Sequence, residues 1–310
     1  QHALSWENQL DIHALPLLAD HVVGDATVFP GAGFAELALI AGRLWHNEAI
    51  VEIEELEIRA PLLLNDERSN VIRTHIDAQD GSLTISSREL LSDDPWAVHA
   101  VARLLGEAHD GLLSGSLPEL PTRAADFTAA EHATLTHAVG IAYGPAFQCI
   151  ERGWIEDNSV LGKLCIPPAI ASQIETMLLH PALLDCAFQL VFQLLRGMAA
   201  ENEGIAYVPT KLGRIAFRVG LPAPAYAHAT LLKQSPRSLQ AEFMLFAADG
   251  RPVASLRDVR FRSVRLRRGA ADRLRFLAYA ATPRPHPLAP VKPACLSREQ
   301  VKAALGEVVR

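Results

Sequence analysis

The stretch Gly33-Phe-Ala-Glu-Leu-Ala-Leu-Ile-Ala-Gly-Arg-Leu-Trp45 is apolar on nearly every face and rich in good helix formers. A helix without a polar side has to be buried, so this segment reads as a central helix rather than a surface one. The period then changes. Val51-Glu-Ile-Glu-Glu-Leu-Glu-Ile58 and the runs 71–76, 83–86 and 96–104 alternate in part between apolar and polar residues, with turn signals such as Asn65-Asp66 and Gln79-Asp80-Gly81 between them. One buried helix wrapped by antiparallel strands, an α+β arrangement, is the expected outcome.

The same outline recurs downstream. Trp154-Ile155 and the run 160–166 precede a long apolar helix expected over about residues 181–198, and strands are expected at 206–217, 225–232, 239–246 and 253–264. Between about residues 114 and 130 the composition shifts to Gly, Ser, Pro and Ala, with Pro118 and Pro121 close together, which marks a connection. The expected organisation is therefore a first half at 1–115, a linker at 116–131, a second half at 132–268 and a C-terminal linker segment at 269–310. The last of these carries Pro283-Arg-Pro-His-Pro-Leu-Ala-Pro290 and a short closing helix pattern. The two halves are too dissimilar in sequence to count as a short-period repeat.

Composition narrows the classes. The 310 residues are 49% hydrophobic and 21% charged, which is ordinary for a globular chain and excludes whole-chain disorder. A net charge of -6 counts against a nucleic-acid surface. The one local basic run lies at 257–268, and its alternation, Arg260-Phe-Arg262-Ser-Val-Arg265-Leu-Arg267, reads as the solvent side of an edge strand. Cys149, Cys165, Cys186 and Cys295 stand apart, without a C-x-x-C pair or metal-ligand spacing, so a reducing cytoplasm is the simpler compartment and no metal is expected. No apolar run reaches membrane-span length and no basic-then-apolar leader occurs, so neither membrane nor nucleic acid is an expected partner. The first residue is Gln1 rather than Met, which is expected of a piece of a longer polypeptide.

Three segments carry candidate chemistry. In His21-Val-Val-Gly-Asp-Ala-Thr-Val-Phe-Pro30-Gly31, an imidazole lies shortly before a Pro-Gly helix start, whose free backbone N–H groups suit a developing oxyanion. Taken alone, a buried structural histidine is the commoner reading, and the chain has twelve. In His180-Pro-Ala-Leu-Leu-Asp185-Cys-Ala-Phe-Gln189, Asp185 sits in an apolar helix start, where it either caps the helix or serves as an acid. Apolar surroundings favour the neutral, proton-donating carboxyl, and Gln189, one turn on, shares its face. The third segment, Gly140-Ile-Ala-Tyr143-Gly144-Pro145-Ala-Phe147-Gln148, is by itself a turn signature whose tyrosine hydroxyl is free to face a pocket.

In this order and with these separations, His21 with Pro30-Gly31, Tyr143-Gly144-Pro145-x-Phe147 and His180-Pro-x-x-x-Asp185-x-x-x-Gln189 resemble the dehydratase domains of modular type I polyketide synthases, over about residues 5–268. The resemblance implies a double hotdog fold, two halves each with a long helix wrapped by an antiparallel sheet. It implies that His21 and Asp185 are the catalytic pair, that Gln189 positions the aspartate, that Tyr143 and Gly144 lie near the substrate hydroxyl, that backbone N–H groups around Gly31 receive the thioester oxygen, and that His180 and Pro181 start the second helix. The implied reaction is loss of water from a 3-hydroxyacyl thioester, with no cofactor beyond the phosphopantetheine arm of an acyl carrier protein. The implied partners are that carrier, the neighbouring synthase domains and a second copy of the chain.

Two departures from the family pattern stand out. The glycine usual at the fourth residue after the histidine is replaced by Asp25, with Gly24 before it, so the left-handed turn is expected to rest on an aspartate. An aromatic usual two residues before the tyrosine is Ile141, and a Leu-Pro-Phe-type segment survives only as Tyr207-Val-Pro209-Thr210. The same catalytic residues would also serve a bifunctional dehydratase-cyclase closing a pyran ring, or a double-bond-shifting isomerase. Loss of either His21 or Asp185 would have indicated a degenerate structural module; both are present. A serine hydrolase is disfavoured because Gly111-Leu-Leu-Ser-Gly115 has the wrong spacing for a nucleophile elbow, and no phosphate-binding or dinucleotide glycine motif occurs.

Overall fold

A computed structural model describes residues 4–106, 110–198 and 204–266. The expected C-terminal segment at 269–310, with its Pro-rich run and closing helix, lies outside the described residues, as do Cys295 and Arg267. Helix α1 spans Gly31–His46. Pro30 stands at its N-cap in extended backbone, and at its other end Asn47 turns left-handed and returns its N–H to the Arg43 carbonyl. Helix α2, Ala129–Ala138, opens with a capping box in which the Thr128 side chain and the Glu131 carboxylate each accept the other's backbone N–H. Helix α3, Pro181–Leu194, starts on Pro181 and is buried from that residue through Gln193. It ends four residues before the expected 198, and Arg196–Met198 is a separate 3-10 turn around Gly197, which weakens a continuing α-helix.

Among the described residues twelve strands form one antiparallel sheet. From one edge, Leu4–Leu10, Asn70–Ile76, Ser82–Glu89, Ala97–Leu104 and Ile50–Ile58 make the first half. Ile205–Arg218, Pro252–Arg265, Ser238–Phe246, Tyr226–Ser235, Ser159–Leu164, Ile150–Glu156 and Phe127–Thr128 continue it. The halves join where Ile50–Ile58 pairs with Ile205–Arg218, and the ion pairs Arg214–Glu52 and Lys211–Glu55 bridge that seam. Helices α1 and α3 touch each other and pack on strands of their own halves. Phe188 of α3 meets Phe243 and Phe261 edge-on, with ring centroids 5.3 and 5.8 Å apart. Truncating such a ring costs ~3–5 kcal/mol. Two helices, each wrapped by antiparallel strands and joined edge to edge, make a double hotdog.

A smaller sheet crosses between the halves. Its order is Ile141–Tyr143, His21–Val23, Ala26–Val28, Leu63–Leu64, so its first strand comes from the second half and the rest from the first.

Two expectations need correction. The arginine-rich strand Pro252–Arg265 is not an edge: it lies between Ile205–Arg218 and Ser238–Phe246. Arg260 and Arg262 are exposed while Phe261 between them is buried, so the alternation records a sheet with one wet face, which a central strand shares with an edge. The stretch 116–131 is not all linker either. Phe127–Thr128 pairs with Arg152 and Gly153, and α2 begins at Ala129, because Thr128 and Glu131 cap a helix that composition alone concealed. Among the described residues no helix is long and apolar enough to cross a membrane.

Candidate active site

His21 is set by what precedes and follows it. Buried Leu17 and Leu18 anchor the short turn Pro16–Asp20, and His21 begins the next strand. Its Nδ1 lies 2.8 Å from the Val28 carbonyl across the hairpin. A carbonyl can only accept, so Nδ1 carries the hydrogen and a neutral His21 is left with a bare Nε2. That nitrogen is 3.6 Å from Asp185 Oδ1. The separation is too long for a hydrogen bond between them, so each atom is available to a third group. The imidazole packs against the Tyr143 and Phe147 rings, with centroids 5.7 and 5.2 Å away, and both His21 and Asp185 are buried.

The other carboxyl oxygen is occupied. Gln189 Nε2 donates to Asp185 Oδ2 at 3.0 Å and reaches the Phe147 carbonyl at 3.2 Å. Tyr143 brings its hydroxyl to the same aspartate. Burial first, then the Asp185 charge and a hydrogen bond to it, hold that phenol well above its ordinary pKa, so it stays a donor.

The Tyr143-Gly144-Pro145 loop is tied to the residue before the histidine. Gly144 N–H donates to the Asp20 carbonyl and Ala146 N–H to Asp20 Oδ2, each at 2.8 Å. A Cβ on Gly144 would fall 2.2 Å from Asp20 Oδ1, so only glycine fits there. An imidazole, a carboxyl and a phenol therefore converge where segments of the two halves meet.

Comparison with known proteins gives the family. A model described as the polyketide synthase dehydratase N-terminal domain matches residues 117–271, and one described as the polyketide synthase dehydratase domain matches residues 1–88. The chain belongs to the polyketide synthase dehydratase family. It is 33% identical over 205 residues to the spectinabilin polyketide synthase system protein NorA' of Streptomyces orinoci, an alignment covering 64% of this chain and 5% of the relative. Polyketide synthase GfsE of Streptomyces halstedii is 30% identical over 254 residues, covering 79% of this chain and 6% of that protein. The chain thus spans under a tenth of the length of these relatives, which are large polyketide synthases. Among solved structures, GphF dehydratase 1 superposes with a TM-score of 0.71 at 26% identity over 84% of this chain and 93% of that one. The dehydratase domain from the CurJ module of curacin polyketide synthase has a TM-score of 0.71 at 23% identity, over 85% of this chain and 92% of that one.

In this dehydratase domain the remaining candidates sit at helix heads. His180 caps α3: its Nδ1 accepts the Ala182 N–H at 3.1 Å, so its Nε2 carries the hydrogen toward Gln173 Oε1 at 3.3 Å. Burial lowers its pKa to about 4, which keeps it neutral. Pro30 and Gly31 head α1, immediately past the hairpin strand that holds His21. Gly31 is pressed against Pro209 and Ile58, so the partial motif Tyr207-Val-Pro209-Thr210 packs on the head of α1.

The altered hairpin is resolved in favour of the glycine. Gly24 has φ +64°, while Asp25 is not among the residues with positive φ, so the left-handed position moved with the glycine and the two-residue turn closes with Val23 opposite Ala26. Ile141 is buried and pairs with Val23.

Three residues that the structure ties to this cluster escaped sequence reading. Asp20 fastens the tyrosine loop. Gln193 continues the four-residue spacing of Asp185 and Gln189 along α3, a signal that was there to be followed. His132 of α2 contacts both glutamines, and only the fold reveals it: Nε2 lies 3.1 Å from Gln189 Oε1 and Nδ1 lies 2.9 Å from Gln193 Nε2. Among the described residues no group of three His, Cys, Asp or Glu is placed to hold a metal ion.

Proposed function

We propose that this dehydratase domain removes water from a 3-hydroxyacyl thioester carried on the phosphopantetheine arm of an acyl carrier protein, giving an α,β-unsaturated thioester. The observation that carries the reading is the tautomer of His21: its Nδ1–H is committed to Val28, and its bare Nε2 faces the acid oxygen of Asp185.

Nε2 of His21 takes the α-proton. The charge that develops on the thioester oxygen is received by backbone N–H groups at the head of α1, around Gly31, where helix geometry leaves donors without intrahelical partners. Protonated Asp185 gives its proton from Oδ1 to the β-hydroxyl, which leaves as water. Two electrons move from the α C–H bond into the new double bond as the C–O bond breaks, so the step is redox-neutral and calls on no cofactor. One catalyst atom gains a proton and the other loses one, and the pair is reset by exchange with solvent. Tyr143 donates toward Asp185 and the hydroxyl region. The carrier protein, the adjoining synthase domains and a second copy of the chain are the partners proposed with this reading, and a cytoplasmic setting suits it.

Product analysis tests the assignment. Offered both epimers of a 3-hydroxyacyl pantetheine thioester, the domain is expected to give a linear enoyl thioester from one or both, seen as loss of one water by mass spectrometry and as vinyl signals by NMR. A substrate with a distal hydroxyl distinguishes a cyclic product from a linear one. Recovery of both epimers unchanged would refute the reading.

A further inference from the structure

The residues behind Asp185 form a buried chain with one direction. The Phe147 carbonyl can only accept, so the Gln189 amide nitrogen must be the end that lies between Phe147 and Asp185 Oδ2, and Gln189 Oε1 must face away, toward His132. His132 therefore carries its hydrogen on Nε2. Its Nδ1 is then the acceptor for Gln193 Nε2 at 2.9 Å. His132, Gln189 and Gln193 are each at least 95% buried, so water does not substitute for any of these partners.

The direction of this chain matters at its far end. Because Gln189 donates to Oδ2, a protonated Asp185 keeps its hydrogen on Oδ1, the oxygen facing His21. If the carboxamide turned over, its oxygen would oppose the Phe147 carbonyl and would draw the acid proton onto Oδ2, away from the reacting atoms. Removing the His132 donor leaves Gln189 Oε1 buried without a partner, and turning or withdrawing the amide is what relieves it.

We propose that His132, on which no motif of the sequence bears, is a positioning residue for the acid: by donating to Gln189 Oε1 it holds the carboxamide in one orientation and so keeps the transferable proton of Asp185 on the oxygen that faces His21. The proposal rests on the dehydration reading above. Gln193 serves it by fixing the His132 tautomer, and burial, which lowers the His132 pKa to about 4, keeps the ring neutral so that Nδ1 remains an acceptor.

The test compares two substrates in the full chain. A 3-hydroxyacyl thioester needs a proton on its leaving group, whereas a 3-chloroacyl thioester loses chloride without one and needs only the base. His132→Leu is expected to lower kcat on the hydroxyacyl thioester by roughly 10- to 100-fold, the scale of a misplaced catalytic group. KM should be little changed, and turnover of the chloroacyl thioester above the uncatalysed background should be spared. His132→Gln, which offers an amide N–H at similar reach, is expected to restore most of the hydroxyacyl rate. Gln193→Leu, which frees the tautomer, should show the same substrate selectivity with a smaller loss, and it carries the comparison if His132→Leu does not fold. An equal loss on both substrates, an unchanged hydroxyacyl rate, or a His132→Gln variant no better than His132→Leu overturns the proposal. Failure of the wild-type domain on the hydroxyacyl thioester overturns the dehydration reading instead.

Discussion

Tyr143 lies directly opposite His21 in the antiparallel pairing of Ile141–Tyr143 with His21–Val23. A residue from each half of the double hotdog is thereby held in one small sheet, and the Asp20 carboxylate, one residue before the histidine, fastens the loop that follows the tyrosine. His21 and the Tyr143-Gly144-Pro145 loop are thus joined in one hydrogen-bonded unit built from segments more than a hundred residues apart in the chain.

That unit is open to a direct test. Asp20→Ala leaves the Ala146 N–H without its partner and is expected to cost ~1–3 kcal/mol of stability, with a fall in turnover larger than the stability loss explains. Gly144→Ala should be worse, because its new methyl would meet the Asp20 carboxylate at 2.2 Å. Thermal unfolding alongside kcat checks both; an Asp20→Ala domain with wild-type kcat would detach the loop from catalysis.

Glu36 links α1 to the segment entering α3. Its carboxylate accepts the N–H groups of Leu178 and Leu179 at 2.7 and 2.8 Å, and burial pushes its pKa up from 4.5 to about 7 despite them. A carboxyl whose pKa is raised on folding binds its proton more tightly in the native state. Its contribution is therefore fullest below about pH 4.5 and is lost as pH rises through about 7. At ~1.4 kcal/mol per pKa unit the effect approaches ~3 kcal/mol. Urea unfolding at about pH 5 and about pH 8 should show the wild type losing more stability across that interval than Glu36→Gln. The glutamine variant should also carry a pH-independent loss, because its amide N–H groups face a backbone donor.

His180 has the opposite sign. Its pKa falls from 6.5 to about 4 on folding, so its contribution is present above about pH 6.5 and disappears as pH falls toward 4. His180→Asn keeps an acceptor at the α3 cap and should change stability at neutral pH by less than ~1 kcal/mol. The melting temperature of the variant should decline less than that of the wild type on acidification. Since Glu36 and the buried His132 titrate in overlapping ranges, the variant-minus-wild-type difference isolates His180.

Much of this architecture is written locally. Helices α1 and α3 are legible because neither has a polar side, and most strands of the large sheet because their alternation is bounded by turn residues, whereas Leu4–Leu10 and Phe127–Thr128 were not expected. Helix α2 is not, because Ala-Ala-Glu-His-Ala-Thr-Leu-Thr-His-Ala has few apolar anchors and is stabilised by its capping box and by what it touches. The central position of Pro252–Arg265 is not legible because alternation reports a strand's two faces and says nothing of its neighbours. At the site, His21, Asp185 and Gln189 lie in motifs that spacing makes recognisable. His132 lies in none, and its contact with Gln189 joins residues 57 positions apart in the chain.

In the proposed dehydration Asp185 supplies the proton on which water leaves while His21 takes the one from carbon. The most direct measurement is the turnover of a 3-hydroxyacyl thioester by wild type, Asp185→Asn and His21→Ala, each verified as folded by its unfolding curve. Asparagine keeps the shape of the side chain and its hydrogen-bonding reach but has no acid proton to give. Both variants are expected to fall to the uncatalysed rate while the wild type releases enoyl thioester. An Asp185→Asn domain that dehydrates the substrate at close to the wild-type rate would contradict it.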